Sequence, residues 1–285
     1  MSAEICFQAY LESLVDEDDK PQDPYTQTDA MSLFDFGLMA QTVLEQKDRR
    51  EEQESSKEKI EQLHVLDGIL KYSAEHVLLV GRPGSGKSTA LKKLLHDEAQ
   101  KTLNNQASLI PVLIELRSWR TSVIDLIKDS FRKNRLRLKV EIIDDLLFDG
   151  RLLILVDGVN ELPSEQARQD VIAFRETNSN AHMIFTTRML GVGGDLGISK
   201  QLEMLPLSEP QMRLFIEMRL QEQGNQMLQQ LGDRLRKFGE TPLLLSMLCV
   251  IFQEKGRVPS NMGSAFRDFA KLYDCLLYTS PSPRD

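Results

Sequence analysis

The residues best suited to chemistry lie between positions 81 and 188. Gly81-Arg82-Pro83-Gly84-Ser85-Gly86-Lys87-Ser88 fits the spacing G-x-x-x-x-G-K-[ST] without a mismatch. Its glycines allow the backbone to wrap an anion with N–H groups turned inward. Lys87 adds a point charge for β- and γ-phosphates, and the Ser88 hydroxyl is a ligand for Mg²⁺. Thr89 then enters a helix whose positive N-terminus faces the same anion. A second apolar run, Leu152-Leu153-Ile154-Leu155-Val156, ends on Asp157, and a carboxylate at a strand end beside such a loop is a metal-side ligand. Glu161, four residues on, is the candidate to orient or deprotonate an attacking water. A third run, His182-Met183-Ile184-Phe185-Thr186-Thr187, ends on Arg188, a cation placed to sense a γ-phosphate.

These residues need elements to hold them. Apolar runs over 77–80, 109–116, 152–156 and 182–186, with a weaker one over 201–205, predict strands. Helical patterns over 88–100, 123–132, 140–147 and 165–176 separate them. Alternation of this kind predicts an α/β fold: a mostly parallel sheet with helices on both faces. After residue 206 the strands stop. Ser208 as cap, Pro210 in the first turn and Gln211 at the capping-box position open a helix that Gly224 is placed to end. Further helices are expected over 227–238 and 243–253. Upstream, 60–72 reads as a helix and 31–44 as a short amphipathic element. The stretches 16–24 and 47–59 read as charged linker, and residues 1–60 show no clear fold.

Several stretches together resemble the NACHT branch of the STAND NTPases, in a bacterial, cyanobacterial-type phrasing. They are 81–91, Ile-Pro-Val-Leu-Ile-Glu-Leu-Arg-Ser-Trp at 110–119, Leu-Val-Asp-Gly-Val-Asn-Glu-Leu-Pro at 155–163 and Phe-Thr-Thr-Arg at 185–188. Gly239-Glu240-Thr241-Pro242-Leu243 resembles the helical-domain motif of that family, which implies that Pro242 packs beside the adenine. The resemblance covers roughly residues 62–273. It implies ATP or ADP with Mg²⁺, a low-turnover ATPase acting as a switch, homo-oligomerisation on activation, and an effector partner that the sequence does not name. It also implies that the strand ending at Arg188 lies between the P-loop strand and the Asp157 strand. Relatives often carry a second acid where this chain has Asn160; an amide orients water but cannot take its proton. A nucleotide-stabilised scaffold with negligible hydrolysis and an AAA+-like remodelling ATPase stand as alternatives.

The expected layout is an acidic N-terminal segment and linker (1–59), a nucleotide-binding α/β domain (60–206), a helical domain opening a regulatory half (207–275), and a tail (276–285) that reads as foreign to the frame. Of the 285 residues, 43 are acidic and 35 basic, giving −8. Residues 1–60 hold 15 acidic and 6 basic side chains, so the remainder is near neutral. This balance gives no support to nonspecific nucleic-acid or anionic-membrane binding. No apolar run reaches the ~18 residues of a membrane span. The start Met-Ser-Ala-Glu is no secretory signal. Three scattered cysteines suggest neither disulfides nor zinc, and a cytoplasmic location is expected. The four histidines show no metal spacing, the basic run over 132–139 reads as an exposed helix end and loop, and Trp119 reads as core or interface.

Overall fold

The structure is a computed structural model describing residues 6–16, 38–43, 60–188, 196–235 and 239–279. The expected linker over 16–24 beyond Asp16, which is helical, the charged run over 47–59 and most of the tail lie outside the described residues. The chain divides into two compact units: 1–20, 39–82 and 87–205 form the first, and 21–38, 83–86 and 206–285 the second.

The first unit is built on a seven-stranded sheet. Its strands are β1 (Met39–Thr42), β2 (Gln62–His64), β3 (Val77–Val80), β4 (Ile110–Glu115), β5 (Leu152–Asp157), β6 (His182–Thr187) and β7 (Gln201–Met204). The order across the sheet is β2-β1-β7-β3-β6-β5-β4. From β7 to β4 every pairing is parallel, and β6 lies between β3 and β5, as the resemblance implies. β3 is buried at all four positions, and β5 at every position before Asp157. That fits strands covered on both faces.

The described helices of this unit are α1 (Gln8–Asp16), α2 (Val65–Tyr72), α3 (Lys87–Leu103), α4 (Val123–Lys133), α5 (Val140–Phe148) and α6 (Glu165–Thr177). Local chemistry sets their starts. The side chain of Ser122 accepts from the Asp125 N–H and that of Ser164 from the Ala167 N–H, both at 3.1 Å. On α4, Val123, Leu126, Ile127 and Phe131 recur at helical spacing and are buried.

Three elements differ from the sequence reading. α1, in a stretch with no expected fold, buries Tyr10, Leu11 and Leu14 in the core. The Tyr10 hydroxyl donates to the Pro111 carbonyl at 2.8 Å, and its ring lies 4.8 Å from that of Phe131. Part of the amphipathic 31–44 element is β1, antiparallel to β7. Within the expected helix over 60–72, Gln62–His64 is a strand antiparallel to β1, and the helix starts only at Val65.

The second unit carries four described α-helices: α7 (Glu209–Leu220), α8 (Gly224–Leu231), α9 (Pro242–Lys255) and α10 (Met262–Thr279). The Gln211 side chain accepts from the Ser208 N–H at 2.8 Å, completing the expected start of α7. Gly224 opens α8 instead of closing α7, which already ends at Leu220. Thr241 caps α9, and Gly256, at φ +62°, ends it. α10 lies in the stretch expected to be helical as far as 275, and it runs past residue 276, where a break in the pattern is expected, to Thr279.

Candidate functional site

In the first unit the parallel register brings the strand ends into one row. Val80 pairs with Thr187 and Glu115 with Asp157, while Val156 pairs with Phe185. Asp157, Arg188 and the chain leaving β3 therefore emerge at the same carboxyl edge, where ligands of open α/β sheets collect.

Gly81 opens the loop, its N–H donating to the Thr187 carbonyl at 3.3 Å. Gly84 and Gly86 take φ of +73° and +97°, the left-handed region that glycine enters freely. Arg82, Pro83 and Ser88 are exposed or partly so, and Thr89 is partly buried in the first turn of α3. Ser85 is buried, and its hydroxyl has no protein partner. Lys87 Nζ donates to the carbonyls of Gly81 (2.7 Å) and Arg82 (3.0 Å). Burial brings the Lys87 ammonium down to about 8; Asp157 opposes this and Arg188 adds to it. A desolvated cation beside a glycine-rich turn and a helix N-terminus is complementary to a polyvalent anion.

The acid side is held by a residue outside the sequence-read set. The Thr186 hydroxyl donates to Asp157 Oδ1 and accepts the Gly158 N–H at 2.9 Å. A buried threonine on β6 thus fixes the carboxylate on β5. Its signal in the sequence was its place in Phe-Thr-Thr-Arg, read there for the arginine alone. Gly158, at φ +86°, turns the chain so that Glu161 returns toward it; a Cβ there would lie 3.1 Å from Glu161 Oε2. The Asn160 Oδ1 accepts the Arg188 N–H at 3.1 Å. Aspartate would accept that bond as well, so the departure from the family pattern keeps the link between the two strand ends. The Arg188 guanidinium faces Glu161 at 4.0 Å.

Glu161, Asp157, Lys87 and Arg188 thus share one edge of the first unit. Ser88 and Asp157 supply hard oxygen donors, the chemistry Mg²⁺ prefers when water and phosphate oxygens complete its shell. Pro242 belongs to the second unit, as the buried first residue of α9. Within that unit the Leu243 N–H donates to the Gly84 carbonyl at 3.3 Å, and a Cβ on Gly84 would stand 2.7 Å from Leu243 Cβ. Among the described residues no cluster of three His, Cys, Asp or Glu side chains could hold a metal, and no helix is long and apolar enough to cross a membrane. The basic run is, as expected, a helix end and loop; Leu138 within it is buried. Trp119 packs partly buried against the core.

A parallel sheet, a glycine-rich loop entering a helix, and an acid ending a neighbouring strand define a P-loop NTPase fold. The NACHT domain family matches residues 75–223, just over half of the chain. The chain belongs to the NACHT family.

Among solved structures it is similar to that of C. elegans PCH-2 at 14% identity and a TM-score of 0.44, over 91% of this chain and 76% of that one. It is similar to the Aeropyrum pernix ORC1 protein in complex with DNA at 16% identity and 0.45, over 76% and 66%. Drosophila ORC bound to DNA follows at 13% and 0.46, over 96% and 68%. No curated relative matches the sequence.

Proposed function

We propose that this chain is a Mg²⁺-dependent, ATP-binding switch that hydrolyses its nucleotide slowly. The observation that carries the reading is the desolvated Lys87 ammonium, held by the loop carbonyls in the field of Asp157 and Arg188. In this reading the loop amides and Lys87 bind the phosphates. Ser88 and Asp157 hold the metal, which when bound neutralises phosphate charge. Glu161 orients the attacking water, Arg188 reads the γ-phosphate, and Pro242 lies beside the base. ADP corresponds to the resting state and ATP to the active one. Self-association and contact with an effector then give the output, in intracellular signalling or anti-phage defence.

Slow turnover follows from Asn160. An amide cannot take a proton from water, so Glu161 is the acid left to do so. The same observation favours the second reading, a scaffold that nucleotide stabilises without being consumed. Steady-state phosphate release from Mg-ATP by wild type and Glu161→Gln separates the two. The switch reading expects a fall of roughly 10²-fold or more with nucleotide binding retained; equal rates select the scaffold. Lys87→Ala abolishes nucleotide binding in either case, and unchanged affinity for Mg-ATP in that variant would sink the site assignment.

A further inference from the structure

β4 ends the sheet on the side away from β2. The Ile110 N–H donates to the Arg151 carbonyl. In the parallel ladder Ile110, Val112 and Ile114 therefore turn their backbone groups toward β5, while Pro111, Leu113 and Glu115 turn theirs outward. Pro111 has no N–H to offer, and its carbonyl is taken by the Tyr10 hydroxyl of α1 at 2.8 Å. α1 thus closes the first half of the edge. The second half is open: among the described residues the outward N–H and C=O of Leu113 meet no hydrogen-bond partner.

That half borders a cavity of about 360 Å³ lying wholly within the first unit. Leu14 of α1, Leu95 of α3 and Leu126 of α4 give the cavity apolar walls, and Lys92, Arg120, Arg132 and Lys133 line it as well. The two acids that line it are already engaged: Glu115 by the fork of Arg117, at 2.7 and 2.8 Å, and Asp129 by Arg132 at 3.6 Å. Lys92, Arg120 and Lys133 have no acidic partner among the described residues. An open strand edge between apolar walls, with three uncompensated cations, is complementary to an extended segment that carries carboxylates. The same cations repel a second copy of this edge, as charged side chains do wherever a sheet must not pair with itself.

We propose that the open half of β4 is a docking site at which an extended segment of a partner protein, both acidic and apolar, adds as a short strand. Its backbone pairs with Leu113, its apolar side chains rest on Leu14, Leu95 and Leu126, and its carboxylates meet Lys92, Arg120 and Lys133. In strand addition the main chain supplies affinity and the side chains supply selectivity. The site shares no residue with the nucleotide site.

The test uses the full chain and isothermal titration calorimetry with an acetylated, amidated peptide, Glu-Val-Glu-Val-Glu-Val. Saturable binding with a Kd below about 1 mM is expected, and the Lys-Val-Lys-Val-Lys-Val analogue should not bind. The acidic peptide N-methylated throughout keeps its charges and loses its donors, and should bind at least tenfold more weakly. Arg120→Glu combined with Lys133→Glu should lower the affinity for the unmodified acidic peptide at least tenfold. Leu113→Pro removes the outward N–H and leaves the ladder to β5 in place, with the same expected loss. Thermal midpoints show whether the variants are folded; should Leu113→Pro unfold the chain, the N-methylated peptide tests the backbone pairing on the wild-type protein. Absence of binding, or wild-type affinity in the charge-reversed variant, would overturn the proposal. Equal binding of the N-methylated peptide would overturn it too, because it would mark a patch that attracts any polyanion. None of these readouts depends on nucleotide, so they stand or fall apart from the switch reading.

Discussion

Replacing Lys87 by methionine separates two roles that one side chain plays. The ammonium is displaced from its ordinary 10.5 to about 8, chiefly because burial strips its water. At 1.36 kcal/mol per pH unit that displacement corresponds to at most ~3 kcal/mol. The group keeps partial contact with solvent, and screening reduces the figure to about 1–2 kcal/mol. Lys87→Met keeps the stem and removes the charge. The ligand-free variant is therefore expected to be more stable than wild type at pH 7, by roughly 2–6 °C in thermal midpoint for a chain of this size.

The pH dependence has a fixed sign. Below about 8 both the folded and the unfolded lysine are protonated, and the full cost is present. Between about 8 and 10.5 the folded group loses its proton first and the cost fades. The advantage of methionine should therefore shrink across that window. Mg-ATP, by contrast, should raise the wild-type midpoint and leave the variant unmoved, because binding to the native state alone is what stabilises. Differential scanning fluorimetry at pH 7 and above 9, with and without Mg-ATP, measures all of this. A ligand-free variant less stable than wild type, or one still stabilised by Mg-ATP, would refute the reasoning.

Other outcomes are expected from the same geometry. Gly84→Ala meets both a left-handed φ and Leu243 Cβ at 2.7 Å, and should cost about 1–3 kcal/mol. Adding Leu243→Ala should recover the steric part in urea unfolding, and no recovery would show the clash to be unimportant. Tyr10→Phe removes the donor to the Pro111 carbonyl and should cost about 1–2 kcal/mol, measurable as a lower urea midpoint. Burial holds His76 below its ordinary 6.5, with Arg175 and His182 pushing the same way. The unfolded chain then takes up this proton first, so stability is unaffected above about 6.5 and is lost as pH falls through it. His76→Asn should lose less stability between pH 7 and 5; equal losses would show that another group dominates.

The part of the fold closest to the chemistry was the easiest to read. β3 and the first five residues of β5 are short continuous apolar runs, and β6 has Met183-Ile184-Phe185 at its centre, so burial on both faces left a readable pattern. What escaped depends on partners distant in sequence. Gln62, Leu63 and His64 carry no strand signature of their own; they are extended because β1 offers an open edge. α1 has its apolar residues at helical spacing, but acids follow at once, and only Phe131 and Pro111 show what the apolar face is for. Thr186 and Asn160 illustrate the same limit at the site. In the sequence Thr186 reads only as part of Phe-Thr-Thr-Arg and Asn160 as an amide able to orient water; the roles of orienting Asp157 and tying down Arg188 need β5 and β6 side by side.

The antiparallel addition of β1 to β7 has a practical consequence. A polypeptide trimmed to start at residue 75, where the family match begins, would lose β1 and β2 and expose the unpaired amides of β7. Its burial alternates, with Leu202 and Met204 inside, so the bared border would be both apolar and ready for hydrogen bonding. Such borders recruit foreign strands. In the intact chain β1 covers that border and β2 finishes it with a three-residue strand whose two ends, Gln62 and His64, are polar and exposed. Trimming to the family boundary would thus convert a terminated sheet into a self-templating one, and the shorter protein would be prone to precipitate for reasons unrelated to its nucleotide.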